Sequence, residues 1–246
     1  MDDAELEPNR RMALPRAVFF DVGDTLLDTG AMLDGALFTA LVPIDPTRTI
    51  AEVRAAVARS GEALPVRQPP FREVRDNADW WIDRYRRIGI ELALTGDALE
   101  RFVGTVVEGH FQGDALHVVP DVPAALARLA ARDIPLGVIS NWDDTLESIL
   151  QRKGLARFFR VFVVSTLIHR AKPDRAIFEH ALGLLGVAAR DAWHVGDDPT
   201  ADALGASRAG MTAALLDPYD LYPQLAGPGI VRVKNVTEAV DRMLGE

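Results

Sequence analysis

Hydrophobic and polar positions follow two different patterns along the chain. Beyond Pro120, short apolar runs alternate with amphipathic stretches, which predicts strands alternating with helices. The predicted strands are 136–140, 161–165, 192–195, 213–216 and 231–233, and the predicted helices are 122–131, 145–153, 173–185, 200–209 and 237–244. We expect Pro173 to open its helix at a first-turn position. This alternation is typical of parallel strands joined by right-handed crossovers.

A long stretch with helical spacing separates the first apolar run, at 17–20, from the alternating region. Between about residues 32 and 111, apolar side chains recur three or four positions apart, as at Ile50 and Val53. Pro65, Pro69 and Pro70 are expected to divide this stretch into separate helices. The sequence therefore predicts an α/β fold, a doubly wound parallel sheet with an all-helical cap inserted after the first strand. The expected divisions are a flexible tail at 1–15, a core at 16–30 and 112–246, and the cap at 31–111.

Composition narrows the classes of function. The net charge of −9 disfavours nonspecific binding to nucleic acid, which needs Lys and Arg to replace counterions. The absence of cysteine excludes disulfides, thiol catalysis and thiolate metal sites. The N-terminal segment is acidic and polar, without the apolar core of a signal peptide, and no apolar run is long enough to span a membrane. We therefore expect a cytoplasmic protein that does not act at a membrane.

An aspartate follows the first apolar run directly. Asp21 ends that run, and Gly23, Asp24 and Thr25 come next in a predicted turn. Ligand sites of open α/β sheets lie at the carboxyl ends of the strands. The Asp21 carboxylate is therefore expected to lie in such a site.

Two later segments add polar groups at comparable positions. Ser140 ends a predicted strand and, with Asn141, offers a hydroxyl and backbone N–H groups that suit an anionic oxygen. Ser-Asn after a strand is also common turn chemistry. Lys172, one of three lysines in the chain, precedes a predicted helix. It is either a solvated surface residue or a positive charge for phosphate and neighbouring carboxylates.

Carboxylates cluster after the predicted strand at 192–195. Asp197 and Asp198 follow it, and Asp202 lies about one turn further on. Adjacent carboxylates repel each other unless a cation or hydrogen bonds intervene, and hard oxygen ligands of this kind suit Mg²⁺. Asp198 has the alternative role of a helix cap. We expect His194 to face the core from its strand and not to bind metal.

In their order and in their positions on the predicted elements, the four segments resemble the motifs of the haloacid dehalogenase (HAD) superfamily. The first motif of that superfamily has the form Asp-x-Asp-Gly-Thr, and residues 21–25 read Asp-Val-Gly-Asp-Thr. The stretch from Trp80 and Trp81 through 139–141 to 194–197 resembles the helical-cap, phosphatase-like branch typified by HAD-like hydrolase domain-containing protein three. The resemblance covers nearly the whole predicted core, and the helical insert lies where the family has its cap.

This resemblance implies a hydrolase, a phosphatase of small phosphomonoesters. Asp21 would attack phosphorus and form an aspartyl-phosphate. Ser140 and the backbone N–H of Asn141 would hold the phosphoryl oxygens, and Lys172 would neutralise charge on Asp21 and on the phosphate. The implied substrate is a small phosphorylated metabolite, because closure of a helical cap excludes a large one.

The resemblance also implies that Mg²⁺ is the cofactor. Asp21 and Asp197 would bind the ion directly, and Gly23 would offer its backbone carbonyl. Asp198 or Asp202 would bind the ion through water or orient Lys172.

Gly23 departs from the family pattern. At this position, phosphatases of the superfamily carry an aspartate that protonates the leaving group and then activates water, and such catalysis contributes about 10²–10⁴-fold. Asp24 either replaces that group or bonds the backbone of its own turn. The alternative function is therefore a weakly active or non-catalytic HAD-like protein that binds a ligand or partner. A metal-independent dehalogenase also lacks the acid at the position of Gly23. The acidic pair Asp197 and Asp198 makes a dehalogenase the less favoured function.

One predicted cap helix carries both aromatic and basic side chains, which are Arg72, Arg75, Trp80, Trp81, Arg84 and Tyr85. Arginines in a cap suit a substrate carboxylate or a second phosphate. The alternative is a helix with a buried aromatic side and a solvated basic face.

Overall fold

The computed structural model describes residues 14–29, 33–60, 74–225 and 229–246. The strands are β1 (Ala17–Phe20), β2 (Leu27–Asp28), β3 (His117–Val118), β4 (Leu136–Ser140), β5 (Phe159–Val164), β6 (Ala192–Gly196), β7 (Thr212–Leu216) and β8 (Ile230–Val233). The helices are α1 (Leu33–Leu41), α2 (Ile50–Arg59), α3 (Val74–Glu91), α4 (Gly96–Gln112), α5 (Val122–Ala130), α6 (Leu146–Arg152), α7 (Ser165–Ile168), α8 (Arg175–Leu185), α9 (Gly205–Arg208) and α10 (Val236–Leu244). All but the last two residues of the predicted tail, and Pro65, Pro69 and Pro70, lie outside the described residues.

Six parallel strands form one sheet in the order β5-β4-β1-β6-β7-β8. β1 lies between β4 and β6, and Phe20 pairs with Val138 on one side and with Val195 on the other. The predicted doubly wound parallel sheet is confirmed, and each strand predicted beyond Pro120 is present with boundaries within about two residues. The carboxyl ends of the three central strands therefore meet at one edge.

Burial on both faces explains the uninterrupted apolar runs of the strands. Along β1, Val18 and Phe20 belong to one hydrophobic cluster, and Ala17 and Phe19 belong to the cluster on the opposite face. Helices α5, α6 and α10 pack in the first cluster, and α8 and α9 pack in the second. Both sides of each central strand must then be apolar, as is typical of parallel sheets covered by helices.

Helices α1 to α4 lie between β2 and β3 in the chain and share a separate hydrophobic cluster. Leu37, Val57, Tyr85 and Phe102 are among its buried members. Thr49 begins α2 with a side-chain cap that Glu52 reciprocates. The helical insert thus has a core of its own, and the exact boundaries 31–111 stay a prediction.

Three local features differ from the expectations. β2 and β3 pair as a two-stranded antiparallel sheet at the entry to and exit from the helical insert, and the sequence pattern did not predict them. The helix predicted at 200–209 consists of a π-helix at Pro199–Leu204 followed by α9. The prediction for Pro173 was wrong, because Asp174 is the N-cap of α8 and its side chain accepts the N–H of Ala176, so the proline precedes the cap.

No helix in the described part of the chain combines the length and the apolar character needed to cross a membrane.

Candidate active site

The carboxyl ends of β4, β1 and β6 deliver the central groups of the site. Ser140 is the last residue of β4, Asp21 follows β1, and Asp197 follows β6. These strands are neighbours in the sheet, so polar residues far apart in sequence come together at its edge. The structure brings these three predicted site residues together.

Two side chains contact the Asp21 carboxylate, and the backbone N–H of Val22 also donates to it. The Ser140 hydroxyl donates to Oδ1 of Asp21 at 2.8 Å, and Nζ of Lys172 lies 2.7 Å from the same oxygen. Burial raises the pKa of Asp21 and outweighs the opposing effect of Lys172. The carboxylate is therefore fixed in position by a hydroxyl and a cation while only 13% of its side chain is exposed.

Lys172 is buried between two carboxylates. Its Nζ lies 2.6 Å from Oδ1 of Asp202, and both side chains are 2% exposed. Burial opposes the charge on Lys172, but Asp202 and Asp21 outweigh it and raise the pKa of the lysine. The interpretation of Lys172 as a solvated surface residue was wrong.

Asp202 serves Lys172 and the end of β6. Its Oδ1 also lies 2.7 Å from Nε2 of His194, and its Oδ2 accepts the N–H of Asp198 at 3.1 Å. Burial disfavours ionisation of Asp202, but Lys172 and His194 outweigh it and hold the pKa below its usual range. Both oxygens of Asp202 are thus engaged with protein groups.

His194 is buried in the core, as expected of a strand residue. Its ring packs edge-on against Phe178 with the centroids 5.4 Å apart. The contact of its Nε2 with Asp202 was not predicted from the sequence, because His194 lies on β6 and Asp202 on the π-helix that follows it. His194 therefore supports the carboxylate that holds Lys172.

The side chain of Asn141 contacts the backbone of Lys172. Its Oδ1 accepts the Lys172 N–H at 2.8 Å, and its Nδ2 donates to the Lys172 carbonyl at 3.0 Å. The prediction assigned the Asn141 backbone N–H to phosphoryl oxygens, and the structure adds this second role for the side chain. Nothing in the local sequence pattern pointed to it.

Asp197 lies in the part of the site with an excess of negative charge. Its Oδ1 accepts the Thr25 hydroxyl at 3.2 Å. One carboxylate oxygen from each of Asp21, Asp197 and Asp202 lies within 4.8 Å of the others. Burial, together with Asp21 and Asp202, raises the pKa of Asp197 to about 8. A divalent cation would relieve this repulsion, so the donor set fits Mg²⁺.

Two predicted site residues have a carboxylate oxygen bonded to residues that follow them in the chain. Oδ1 of Asp198 accepts the N–H groups of Thr200 and Ala201, both at 2.7 Å, and so caps the π-helix. Oδ1 of Asp24 accepts the N–H of Thr29 at 2.8 Å and its hydroxyl at 2.6 Å. The structure thus gives the Asp198 side chain the capping role, and it holds the Asp24 carboxylate within the turn.

Gly23 lies beside the indole of Trp142, a residue that the sequence did not single out. A Cβ at Gly23 would lie 3.7 Å from Cζ3 of Trp142 and 3.6 Å from Cγ2 of Thr29. Both distances are ordinary van der Waals contacts. The space next to position 23 is therefore bordered by an aromatic ring.

The aromatic and basic residues of α3 are largely buried. Trp81 and Tyr85 stack with ring centroids 5.5 Å apart, and Tyr85 pairs through its hydroxyl with Nδ1 of His110 at 2.9 Å. The Arg84 guanidinium lies 5.7 Å from the Trp80 ring and is buried too, at 1% exposure. The core interpretation holds for the aromatic residues, but the solvated basic face was wrong for Arg84. Arg72, and the side chain of Arg75, lie outside the described residues.

Residues 15–210 match the haloacid dehalogenase-like hydrolase family. Haloacid dehalogenase-like hydrolase domain-containing protein 3 of Danio rerio is 30% identical over 210 residues, which cover 83% of this chain and 86% of the relative. Glyceraldehyde 3-phosphate phosphatase of Methanothermobacter thermautotrophicus is 28% identical over 211 residues, covering 82% and 85%. The crystal structure of a 2-haloacid dehalogenase from Pseudomonas syringae superposes with a TM-score of 0.59 at 25% identity, covering 92% of this chain and 97% of that one.

The fold, the strand-end carboxylate and these matches define a hydrolase of the HAD superfamily, and the chain belongs to that family. Its similarity to domain-containing protein 3 extends over most of both chains and confirms the resemblance read from the sequence motifs. Phosphatases are among its relatives.

Proposed function

We propose that this protein is a Mg²⁺-dependent phosphatase of small phosphomonoesters with Asp21 as the nucleophile. The observation that carries the proposal is the environment of that carboxylate, which Ser140 and Lys172 contact at 2.8 and 2.7 Å. A phosphate dianion approaches a carboxylate only where positive charge and hydrogen-bond donors offset the repulsion. Lys172 and Ser140 are such groups.

The two steps of the reaction assign different roles to these residues. Both side-chain contacts of Asp21 end on Oδ1, so we assign Oδ2 to attack at phosphorus. The bond from phosphorus to the leaving oxygen breaks as the bond to Asp21 forms, and the leaving oxygen takes a proton from water. A second water then attacks phosphorus and passes a proton to the hydroxide left by the first, the bond to Asp21 breaks, and phosphate leaves. Lys172 remains beside the transferring group throughout.

Asp21 and Asp197 are the residues that we assign to hold Mg²⁺ directly. Asp202 has both oxygens bonded to protein groups, so its role is to orient Lys172. Charge compensation on the phosphate and on the clustered carboxylates is the chemistry that Mg²⁺ supplies when bound. The relatives named as phosphatases support this assignment of reaction class.

The test is phosphate release from 4-nitrophenyl phosphate and from a panel of phosphorylated metabolites, with Mg²⁺ or with EDTA. We expect turnover that requires Mg²⁺ and that Asp21→Asn abolishes. Asp191→Asn, at the opposite end of β6, is the matched control and should retain turnover. Turnover that persists in Asp21→Asn, or none with any substrate, would refute the phosphatase proposal.

A second candidate is a HAD-like protein that binds a phosphorylated ligand or a partner with little or no turnover. Two observations favour it: Gly23 has no side chain, and the Asp24 carboxylate is bonded to Thr29. If this candidate is correct, the protein should bind a phosphorylated compound without releasing phosphate. Isothermal titration with the same panel and with Asp21→Asn separates the two candidates.

A further inference from the structure

We propose that the substrates are phosphates whose leaving group departs without protonation by the enzyme, namely esters of acidic hydroxyls and mixed anhydrides. This inference rests on the proposed phosphatase function and adds the chemical class of its substrate.

The turn after Asp21 contains one carboxylic acid, Asp24, and Thr29 engages one of its oxygens. Val22 is apolar and buried, and Gly23 has no side chain. Asp24 has a positive φ of 48°, its N–H bonds the Leu27 carbonyl, and its Oδ1 accepts two hydrogen bonds from Thr29. The Asp24 carboxylate is therefore part of the structure of the turn.

The other polar groups of the site are committed to each other. The Ser140 hydroxyl donates to Asp21, and Nζ of Lys172 is held between Asp21 and Asp202. The Thr25 hydroxyl donates to Asp197, the residue assigned to Mg²⁺. Within the described residues, none of these side chains is placed to protonate a leaving oxygen on the far side of phosphorus from Asp21, where in-line displacement puts it.

The backbone does not require glycine at position 23. A Cβ there would make only van der Waals contacts, at 3.6 Å to Thr29 and 3.7 Å to Trp142. Gly23 also lies outside the set of glycines with positive φ in the described chain. A larger side chain can therefore begin at this position. The fold does not prevent an acidic residue here, so its absence is attributed to the reaction that the site carries out.

Trp142 offers an apolar wall where an acid is missing. Its N–H donates to the Ser165 hydroxyl at 3.1 Å, and its carbonyl accepts the hydroxyls of Ser165 and Thr166 at 3.1 and 3.0 Å. These three bonds fix its backbone, and the half-buried indole lies beside position 23. A planar leaving group can pack on an indole face. Aryl and enol phosphates therefore suit the site better than alkyl phosphates do.

The consequence is a steep dependence of rate on the acidity of the leaving group. General acid catalysis contributes about 10²–10⁴-fold, and mostly for poor leaving groups such as alkoxides. A phenol, with a pKa of about 10, leaves more readily than an alcohol, and a carboxylate leaves more readily still. In an enzyme without a general acid, the rates for alcohol, phenol and carboxylate leaving groups therefore differ by the full amount that their acidities dictate.

The experiment measures kcat/KM for substituted phenyl phosphates, glycerol phosphate and acetyl phosphate with Mg²⁺ present. We expect kcat/KM to fall steeply as the leaving-group pKa rises, with glycerol phosphate at least about 100-fold below 4-nitrophenyl phosphate. Gly23→Asp should flatten this dependence by raising the rate for glycerol phosphate most. Gly23→Asn, of similar size but without a proton to give, should keep the steep slope.

Trp142→Ala tests the apolar wall. It should lower kcat/KM for phenyl phosphates relative to acetyl phosphate, which has no ring to stack. An unchanged ratio would show that Trp142 does not select planar leaving groups and would overturn this part of the inference.

The outcomes separate this inference from the function on which it rests. A flat dependence on leaving-group pKa, with turnover that Asp21→Asn abolishes, would overturn the inference and leave the phosphatase standing. Absence of Asp21-dependent turnover, even with 4-nitrophenyl and acetyl phosphate, would overturn both. If Gly23→Asp fails to fold, the slope of the unmodified protein decides the question alone.

Discussion

Asn141 and Lys172 are joined by a reciprocal pair of hydrogen bonds, in which the amide side chain of the first satisfies both backbone groups of the second. Lys172 precedes α8, and Asn141 follows the last residue of β4. The lysine that contacts Asp21 is thus positioned by the neighbouring strand end as well as by Asp202. A positioning residue of this kind affects chemistry without contacting substrate through its side chain.

Replacing Asn141 by Ala should therefore reduce turnover and stability together. The loss of both bonds leaves two backbone groups of a buried residue without their side-chain partner, and each costs about 1–3 kcal/mol where water does not replace it. We expect kcat to fall at least about 10-fold, because a small displacement of a charged group in a site is costly. Urea unfolding and steady-state kinetics measure the two effects.

Asn235→Ala is the matched control for Asn141→Ala. Asn235 caps α10 by accepting the N–H of Glu238, far along the chain from the site. Its loss should cost about 1 kcal/mol of stability and leave kcat unchanged. Equal kcat in the two variants would contradict a positioning role for Asn141.

Replacing Asp197 by Asn should stabilise the protein in EDTA and abolish its stabilisation by Mg²⁺. Burial, together with repulsion from Asp21 and Asp202, disfavours ionisation of Asp197 and raises its pKa, whereas the amide carries no charge. In the unmodified protein, Mg²⁺ at 100 times its Kd should add about 2.7 kcal/mol. Thermal unfolding with EDTA and with increasing Mg²⁺ gives both quantities.

Asp198→Asn serves as the comparison for Asp197→Asn. The Asp198 side chain caps the π-helix, and asparagine caps nearly as well. This variant should keep the Mg²⁺-dependent increase in Tm. Loss of that increase would instead assign Asp198 to the metal and contradict the position of its side chain.

His110 should make the stability of the protein depend on pH below neutrality. Burial, together with Arg84, lowers the pKa of His110 to about 4, whereas an unfolded histidine titrates near 6.5. Between these values the unfolded chain binds more protons, so the free energy of unfolding falls as pH falls. The contribution lost between pH 6.5 and 4 is about 2–3 kcal/mol.

Urea unfolding at several pH values, for the unmodified protein and for His110→Gln, isolates this contribution. The difference in stability between the two proteins should shrink as pH falls from 6.5 toward 4. His180→Gln, at an exposed position of α8, should show no such change relative to the unmodified protein. Parallel curves for His110→Gln and the unmodified protein would contradict the buried neutral histidine.

Gly196→Ala should disrupt the site from within the sheet. A Cβ at this last residue of β6 would overlap the Asp202 side chain, so the carboxylate must shift away from Lys172 and His194. We expect a loss of about 1–3 kcal/mol from overpacking and a fall in kcat. Unfolding and kinetic measurements on the same preparation test both.

Gly183→Ala is the control for Gly196→Ala, and we expect it to raise stability where Gly196→Ala lowers it. Gly183 lies within α8, and nothing lies within 4 Å of the added methyl group. Alanine favours a helix interior over glycine by up to about 1 kcal/mol. We expect a small gain in stability with unchanged kcat, and a loss in both variants would point to a general intolerance of alanine.

Much of the core could be predicted from local pattern, because strands covered on both faces must be apolar, as β1 is throughout and β4 is up to Ser140. The positions of Asp21, Ser140 and Asp197 followed from the same rule, since parallel strands end at one edge. β2 and β3 contain two residues each, which is too short to produce a recognisable alternation.

Other contacts of the site join residues on different elements, and the pattern of residues along the sequence gives no distance between such residues. His194 reaches Asp202 across a strand end, and Trp142 reaches Gly23 from the loop that follows β4. The role of Asp24 was ambiguous in the sequence, because a carboxylate in a turn can bond the backbone or face a substrate, and the residue type alone does not distinguish the two. Only its bonds to Thr29 distinguish the two roles.

The antiparallel pairing of β2 with β3 joins the two chain crossings between the sheet and the helical insert. Leu27 pairs with Val118 and Asp28 with His117, so the crossings are bonded to each other directly. Two separate linkers would let the insert tilt about either one. Because β2 and β3 are hydrogen-bonded to each other, they move together as one ribbon, which twists more readily than its two strands slide past each other. We expect rotation of the four helices relative to Asp21 to centre on this ribbon, whose direction is set by the two paired positions of β2 and β3.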